Sequence, residues 1–368
     1  MSDPARQQPD AGHFSADFAE ARRRFLAAAR ERKAELDGRA IGTRGARGEE
    51  LAVDLAYLGP EAPERLLVVS SGIHGVEGFA GSALQLQLLA APEALALPRD
   101  AGLLLVHGVN PYGFAALRRV NESNVDLNRN FLRHPEDHVA NPAYDALHAA
   151  VNPAALDDES DAAARSALRA FAADHGFPKL QAALTSGQYA HPDGVYYGGA
   201  REERSAAILR EVALRATRGA RRVVWVDVHT GLGPYGEAEM ITEFAPDDLR
   251  FRRARAAWGD AVKSTASGDS VSAAVCGSMD LAVAEALADR ELTLGCAEFG
   301  TYDPIRVFWA LRADNWLHAH GDPESPRGRA IKAELLEVFR PADPAWKRSV
   351  LAVGAGLVGR ARAALAGD

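Results

Sequence analysis

The sequence predicts an α/β protein: a mixed sheet wrapped by helices. Two observations carry this. Short, nearly continuous apolar runs occur at Leu66 to Val69, Leu103 to Val106, Val223 to Val228 and Leu292 to Phe299. Runs of that length and β-branched content suit strands covered on both faces. Helical stretches lie between them, and strands alternating with helices define the class.

Taken in order, residues 14–38 are rich in Ala, Arg and Glu, with Phe14, Phe18, Phe25 and Leu26 spaced for one helical face and Gly38 as a stop. Leu51, Val53, Leu55 and Tyr57 alternate with other residues, the pattern of a half-buried strand. A helix is expected from Phe79 to Ala90, with Leu84, Leu88 and Leu89 on one side, and others at 248–263, 279–288, 304–318 and 328–340. Segment 133–200 mixes Pro, Asp, Ala and His without a clear period and reads as an inserted loop region covering the site. The expectation is a single catalytic domain over 14–345, followed by a C-terminal helical tail at 346–368.

The bulk numbers exclude several classes. The chain has 368 residues, 47% hydrophobic and 25% charged, ample for a sizeable core. A net charge of -8 and a pI near 5.8 leave no basic footprint, so no nucleic-acid partner is expected. Met1 to Asp10 is polar, with no apolar segment behind a basic one, and no secretory signal is expected. No uninterrupted apolar stretch approaches the ~20 residues of a membrane span. Cys276 and Cys296 are too few for a disulfide framework or a thiolate cluster. A cytoplasmic location is expected, and any metal falls to His and carboxylate.

Polar clusters stand at the ends of the predicted strands: SSGIHGVEG (70–78), NPYGF (110–114) with RRVNESNVDLNRNF (118–131), VDVHTG (226–231) and CAEFGTYDP (296–304). Ligands of open α/β sheets gather outside the carboxyl ends of strands. His74 and Glu77, presented from one glycine-flanked turn, can meet a single cation. A buried His beside a helix-start Glu has the same spacing, which about one chance match in a chain of this size would produce. His229 ends the third apolar run and completes a two-His, one-carboxylate set, the kind that leaves a coordination position for water. Asn128 and Arg129 offer amide and guanidinium donors for a substrate carboxylate, beside the pair Arg118 and Arg119. Glu298 lies in an otherwise apolar strand, so it is paired, neutralised or catalytic. A structural salt bridge is the rival reading.

In this order the motifs resemble the zinc carboxypeptidase superfamily, which includes carboxypeptidase A-type peptidases and the succinylglutamate desuccinylase and aspartoacylase deacylases. The match spans roughly residues 50–310. The resemblance implies a mixed, mostly parallel sheet of eight strands flanked by helices. It implies one zinc ion held by His74, Glu77 and His229, with Asp126 orienting the first histidine. Arg119 takes the place of the arginine that polarises the scissile carbonyl, with Arg118 as the alternative. Asn128 and Arg129 match the pair that grips a terminal carboxylate, and Glu298 matches the general base and acid. Asn110-Pro111-Tyr112-Gly113 stands where carboxypeptidases usually have Asn-Pro-Asp-Gly. Ser272 stands where their substrate-closing tyrosine would be, leaving Tyr302 or Tyr235 as substitutes, and Asp303 has no assigned role.

The expected function is a zinc hydrolase cleaving an amide next to a free carboxylate, as a carboxypeptidase acting on a small peptide. Deacylation of an N-acyl amino acid is the alternative. A non-catalytic metal-binding homologue is the reading from another class, and Arg119 and Glu298 argue against it.

Overall fold

A computed structural model describes residues 11–91, 96–132 and 134–367; the polar stretch Met1–Asp10 lies outside the described residues. In chain order the elements are α1 (Phe18–Glu31), β1 (Glu35–Arg44), β2 (Glu50–Leu58), β3 (Arg65–Ser71), α2 (Gly78–Ala90), β4 (Ala101–His107) and α3 (Pro111–Ala115). Then come α4 (Pro142–Val151), α5 (Asp158–His175), α6 (Phe177–Thr185), α7 (Arg204–Glu211), β5 (Arg222–Gly231), β6 (Ala238–Thr242), α8 (Leu249–Trp258) and β7 (Val262–Ser264). The chain closes with α9 (Met279–Ala286), β8 (Glu291–Gly300), α10 (Pro304–His320), α11 (Pro326–Phe339) and α12 (Pro344–Ala366).

The strands form one eight-stranded sheet in the order β1-β2-β4-β3-β5-β8-β6-β7. Its centre, β4-β3-β5-β8, is parallel, and antiparallel pairings enter at β1-β2, β2-β4 and β6-β8. The α/β class and mixed sheet are as expected. The central strands are legible because both faces are covered. On β3, Leu66 and Val68 join one apolar cluster, and Leu67 and Val69 join another on the opposite face. That alternation is the two-residue period of a strand. Leu84 of α2, Trp258 of α8 and Val350 of α12 pack on one face, and Leu209 of α7 and Val283 of α9 on the other.

The first helix is shorter than its composition suggested. Asp17 caps it by accepting from the Glu20 amide. It ends at Glu31, and Lys33 follows in the left-handed region at φ 57°. Gly38 lies inside β1, an edge strand whose buried apolar residue is Ile41. Such a charged edge strand has no apolar run by which to be recognised. Likewise, the helix expected over 248–263 ends at Trp258, and the chain continues into the short β7.

Segment 133–200 is largely helical rather than irregular. Asp157 and Ser160 form a capping box at the start of α5. Tyr144, Leu147 and Leu180 from this segment pack on Val307, Leu311 and Leu335 of α10 and α11 in a third apolar cluster. Burying each such side chain contributes about 1.5–3 kcal/mol, enough in sum to hold three helices in place.

By length and composition α12 could cross a membrane. It also carries Lys347, Arg348 and Arg360, and it buries Trp346, Val350, Leu351 and Leu357 against the protein.

Candidate metal centre and substrate cavity

The site sits at the carboxyl ends of β3, β5 and β8. After β3 the chain turns at Gly72 (φ +75°) and presents His74 and then Glu77. Gly75 permits a backbone crossing: its amide donates to Arg119 O at 3.1 Å, and a Cβ there would lie 2.0 Å from the carbonyl carbon of Gly113. No larger residue fits, and this contact brings the 118–131 cluster against the His74 turn. His229 is the register partner of Glu298 across the β5–β8 pairing.

His74, Glu77 and His229 converge, each with a candidate ligand atom within 4.8 Å of the others, and all three are buried. His74 Nδ1 is 3.0 Å from Glu77 Oε1, and His229 Nδ1 is 3.3 Å from Glu77 Oε2. Behind each ring stands an aspartate. His74 Nε2 is 3.0 Å from Asp126 Oδ1, and His229 Nε2 is 2.5 Å from Asp227 Oδ2. An Nε2–H donated to a carboxylate leaves the Nδ1 lone pair facing Glu77, the arrangement by which outer carboxylates orient metal-binding imidazoles. Asp227 is held in turn by Ser70 Oγ, which donates to it at 2.6 Å.

The donor set suits a cation. His74 Nδ1 is buried and makes no hydrogen bond, despite its closeness to Glu77. A lone pair facing a carboxylate is repulsive unless a positive charge lies between them. Two imidazole nitrogens and a carboxylate form a ligand set that zinc accepts.

Arg119 supplies neighbouring positive charge, donating from Nη1 to Glu77 Oε1 at 2.8 Å and from Nε to Asp126 Oδ2 at 3.1 Å. Burial alone would raise the pKa of Glu77, but His74, His229 and Arg119 bring it below the ordinary carboxylate range. Asp126 is likewise held low against burial, chiefly by Arg119 and His74. Glu298 goes the other way. Burial, reinforced by the charge of Glu77, pushes it up to about 7, and its Oε1 accepts from the Leu232 amide at 2.8 Å.

A cavity of about 660 Å³ opens beside these groups, lined by His74, Arg119, Asn128, Arg129, His229 and Glu298. Asn128 Oδ1 accepts from the Met279 amide at 2.9 Å, tying this loop to the start of α9. Arg129 donates from Nε and Nη2 to Thr185 O and from Nη1 to Asn128 O. The structure does not bring Arg118 to this cavity. Its Nε ion-pairs with Asp314 at 3.2 Å on the side facing α10, because adjacent residues in this turn diverge. Tyr302 and Tyr235 are also absent from the lining; their hydroxyls bond to Glu337 and Asp343. Ser272 lines the cavity, while Asp303 caps α10 through the Ile305 amide.

Sequence reasoning missed several groups. Asp227 had a signal, since residues two apart on a strand share a face and His229 follows it by two. Tyr196 had none. It lies in the cavity wall with Arg119 and Arg129 guanidiniums 5.6 and 6.0 Å from its ring centre, and its backbone is left-handed at φ 57°. A bulky residue held there is an uncommon feature that marks functional sites. Asp280, Glu243 and Cys296 also line the cavity.

An α/β sheet with a buried His-Glu-His cluster at its strand ends is the class that fold and site define together. The chain matches the family described as "Protein of unknown function (DUF2817)" over residues 14–353, and it belongs to that family. No curated protein matches it. Solved structures similar to it include bovine thrombin-activatable fibrinolysis inhibitor in complex with tick carboxypeptidase inhibitor, at 13% identity and a TM-score of 0.44, covering 95% of this chain and 99% of that one. Another is the succinylglutamate desuccinylase from Chromobacterium violaceum, at 17% identity and a TM-score of 0.37, covering 87% of this chain and 74% of that one.

Proposed function

We propose that this protein is a zinc-dependent hydrolase that cleaves an amide bond next to a free carboxylate in a small substrate. One observation carries the reading: His74, Glu77 and His229 converge with Asp126 and Asp227 behind the two rings. These three residues would hold the ion. Zinc at such a set supplies Lewis-acid polarisation of a carbonyl and acidifies water.

The remaining steps belong to the chain's own side chains. Arg119 stabilises negative charge developing on the carbonyl oxygen. Glu298, a cavity-lining carboxylate and the register partner of His229, takes a proton from water and returns it to the leaving nitrogen. Asn128 and Arg129 fix the position of the substrate carboxylate.

Leu168 of α5 and Leu180 of α6 form part of the cavity wall. A site walled by helices favours a small N-acyl amino acid over an extended peptide, so deacylation is preferred to the carboxypeptidase reading.

The test pairs N-acyl amino acids with their carboxamide counterparts in the presence of zinc. Hydrolysis of the acids with a sharp fall for the carboxamides is expected, and equal cleavage would sink the carboxylate requirement. Metal analysis of His74→Ala against the parent checks the ligand set; equal zinc content would defeat it.

A further inference from the structure

The cavity has two kinds of wall. Strand ends and turns supply polar side chains, among them His74, Arg119, Asn128 and Glu298. Three helices, α5, α6 and α10, supply a wall that is mainly apolar. Leu168 and Ala172 lie four residues apart on α5, and Leu180 and Leu184 four apart on α6, so each helix turns an apolar stripe to the cavity. From α10 come Ile305 and Phe308, three apart. This surface is not core that the fold has already covered. Leu168, Ala172 and Phe308 are half-buried, Ile305 is 54% exposed, and Phe177 at the start of α6 is 53% exposed.

A concave apolar wall with a few polar groups at one end is the general form of a site for a largely apolar ligand. The polar groups set its direction. Asn128, proposed to grip the substrate carboxylate, is tied to the start of α9 through the Met279 amide at 2.9 Å. By contrast, α10 follows directly on the strand that carries Glu298 and begins at Pro304. A substrate with its carboxylate on Asn128 and Arg129 and its amide between Arg119 and Glu298 would therefore send its acyl group toward α10 and α5. The size of the wall sets the length of that group. From Leu184 to Phe177, α6 runs about 10 Å at 1.5 Å per residue. An octanoyl chain, with carbon–carbon bonds of about 1.5 Å, extends at most about 10 Å. An acetyl group would fill little of the 660 Å³ and leave the apolar stripes in water.

We propose that the wall formed by α5, α6 and α10 binds an uncharged aliphatic acyl chain, making the preferred substrate an N-acyl amino acid with a medium-length chain such as octanoyl. This rests on the hydrolase reading for the point at which the acyl group is attached, but its test does not depend on turnover. The helices carry no carboxylate into the lining among the described residues, and their two arginines, Arg165 and Arg169, are exposed. The Arg165 guanidinium lies over the Trp309 ring, 4.3 Å from its centre. A dicarboxylic acyl group such as succinyl is the competing ligand that these arginines would favour.

The experiment titrates N-acetyl-, N-butanoyl-, N-hexanoyl-, N-octanoyl- and N-succinylglycine calorimetrically into zinc-loaded Glu298→Gln protein, where hydrolysis does not intervene. Affinity is expected to rise by about 2–4-fold per methylene, leaving the octanoyl compound at least about 50-fold tighter than the acetyl one. Adding Leu168→Glu, which puts a charge on the apolar wall, should weaken octanoylglycine by at least about 10-fold and leave acetylglycine unchanged. Unchanged acetylglycine binding also shows that the variant is folded. Phe177→Ser, at an exposed position, gives a second variant with a smaller effect of the same sign. Equal affinities along the series, no binding of octanoylglycine, tightest binding of the succinyl compound, or a chain-length dependence surviving in both variants overturns the proposal. Chain-length-dependent binding without turnover of any compound by the parent protein would retain the acyl chamber and sink the hydrolase reading. Hydrolysis of the whole series by the parent at rates independent of chain length would do the reverse.

Discussion

Arg118 and Arg119 are adjacent, yet their guanidiniums pair with different carboxylates: Arg118 with Asp314 at 3.2 Å, Arg119 with Glu77 at 2.8 Å. Asp314 also receives Lys332 Nζ at 2.6 Å. The first arginine belongs to a buried ion cluster beneath α10, the second to the candidate metal centre. Asp314→Ala would leave two mostly buried cations without their carboxylate. Breaking such a pair from one side costs about 3–5 kcal/mol. Urea denaturation should therefore show a large loss of stability, while folded protein binds added zinc as the parent does. A loss under about 1 kcal/mol would mean that solvent replaces Asp314.

Asp227→Asn should weaken zinc binding. The carboxylate holds His229 in the orientation that turns Nδ1 toward Glu77. Loss of an outer carboxylate of this kind typically lowers metal affinity about 10–100-fold. Competition with a chromophoric chelator measures it, and an unchanged affinity would remove Asp227 from the metal centre.

Glu298→Gln keeps the shape of the side chain and removes its ability to accept a proton. The expected result is full zinc occupancy with hydrolysis reduced by about 10²–10⁴-fold. Turnover within a few-fold of the parent would show that another group moves the proton.

The pH dependence of stability should contain a histidine component. His107 on β4 is buried, stacked on Phe25 at 4.5 Å, with its Nε2 3.1 Å from Ser82 Oγ. Burial, and then the charge of Arg22, lower its pKa from 6.5 to about 3. Arg22 itself pairs with Asp54, the cross-strand neighbour of His107. The unfolded chain therefore binds a proton that the folded chain refuses between about pH 6.5 and 3. Stability from this group is complete above that window and falls as pH drops through it, by up to about 1.4 kcal/mol per pH unit. His107→Phe should show a shallower loss than the parent in denaturation at pH 7, 5.5 and 4. Parallel curves would sink the assignment.

Some of the site was legible without coordinates because its signals are local. His74 and Glu77 share one turn, and Asp227 precedes His229 on one strand face. The buried strands showed as apolar runs because both faces are covered. α2 was expected at Phe79 to Ala90 with its leucines on one side, and the structure buries it nearly all round. β1 was hidden because an exposed edge carries charge rather than apolar side chains. The α5 capping box was present at Asp157 and Ser160, so a helix there was available to a closer reading.

The sequence by itself determined the chemistry on offer: two histidines, the carboxylates and the arginines, in an order set at the ends of recognisable strands. Tertiary structure decided which atoms meet. Asp126 reaches His74 across 52 positions, and Glu298 faces His229 through the β5–β8 register. It also separated Arg118 from Arg119, brought two guanidiniums to the Tyr196 ring, and set Asp280 in the cavity wall. The physical reason is range. Turn geometry and strand period act over a few residues, whereas the direction of a buried charge follows from every element packed around it.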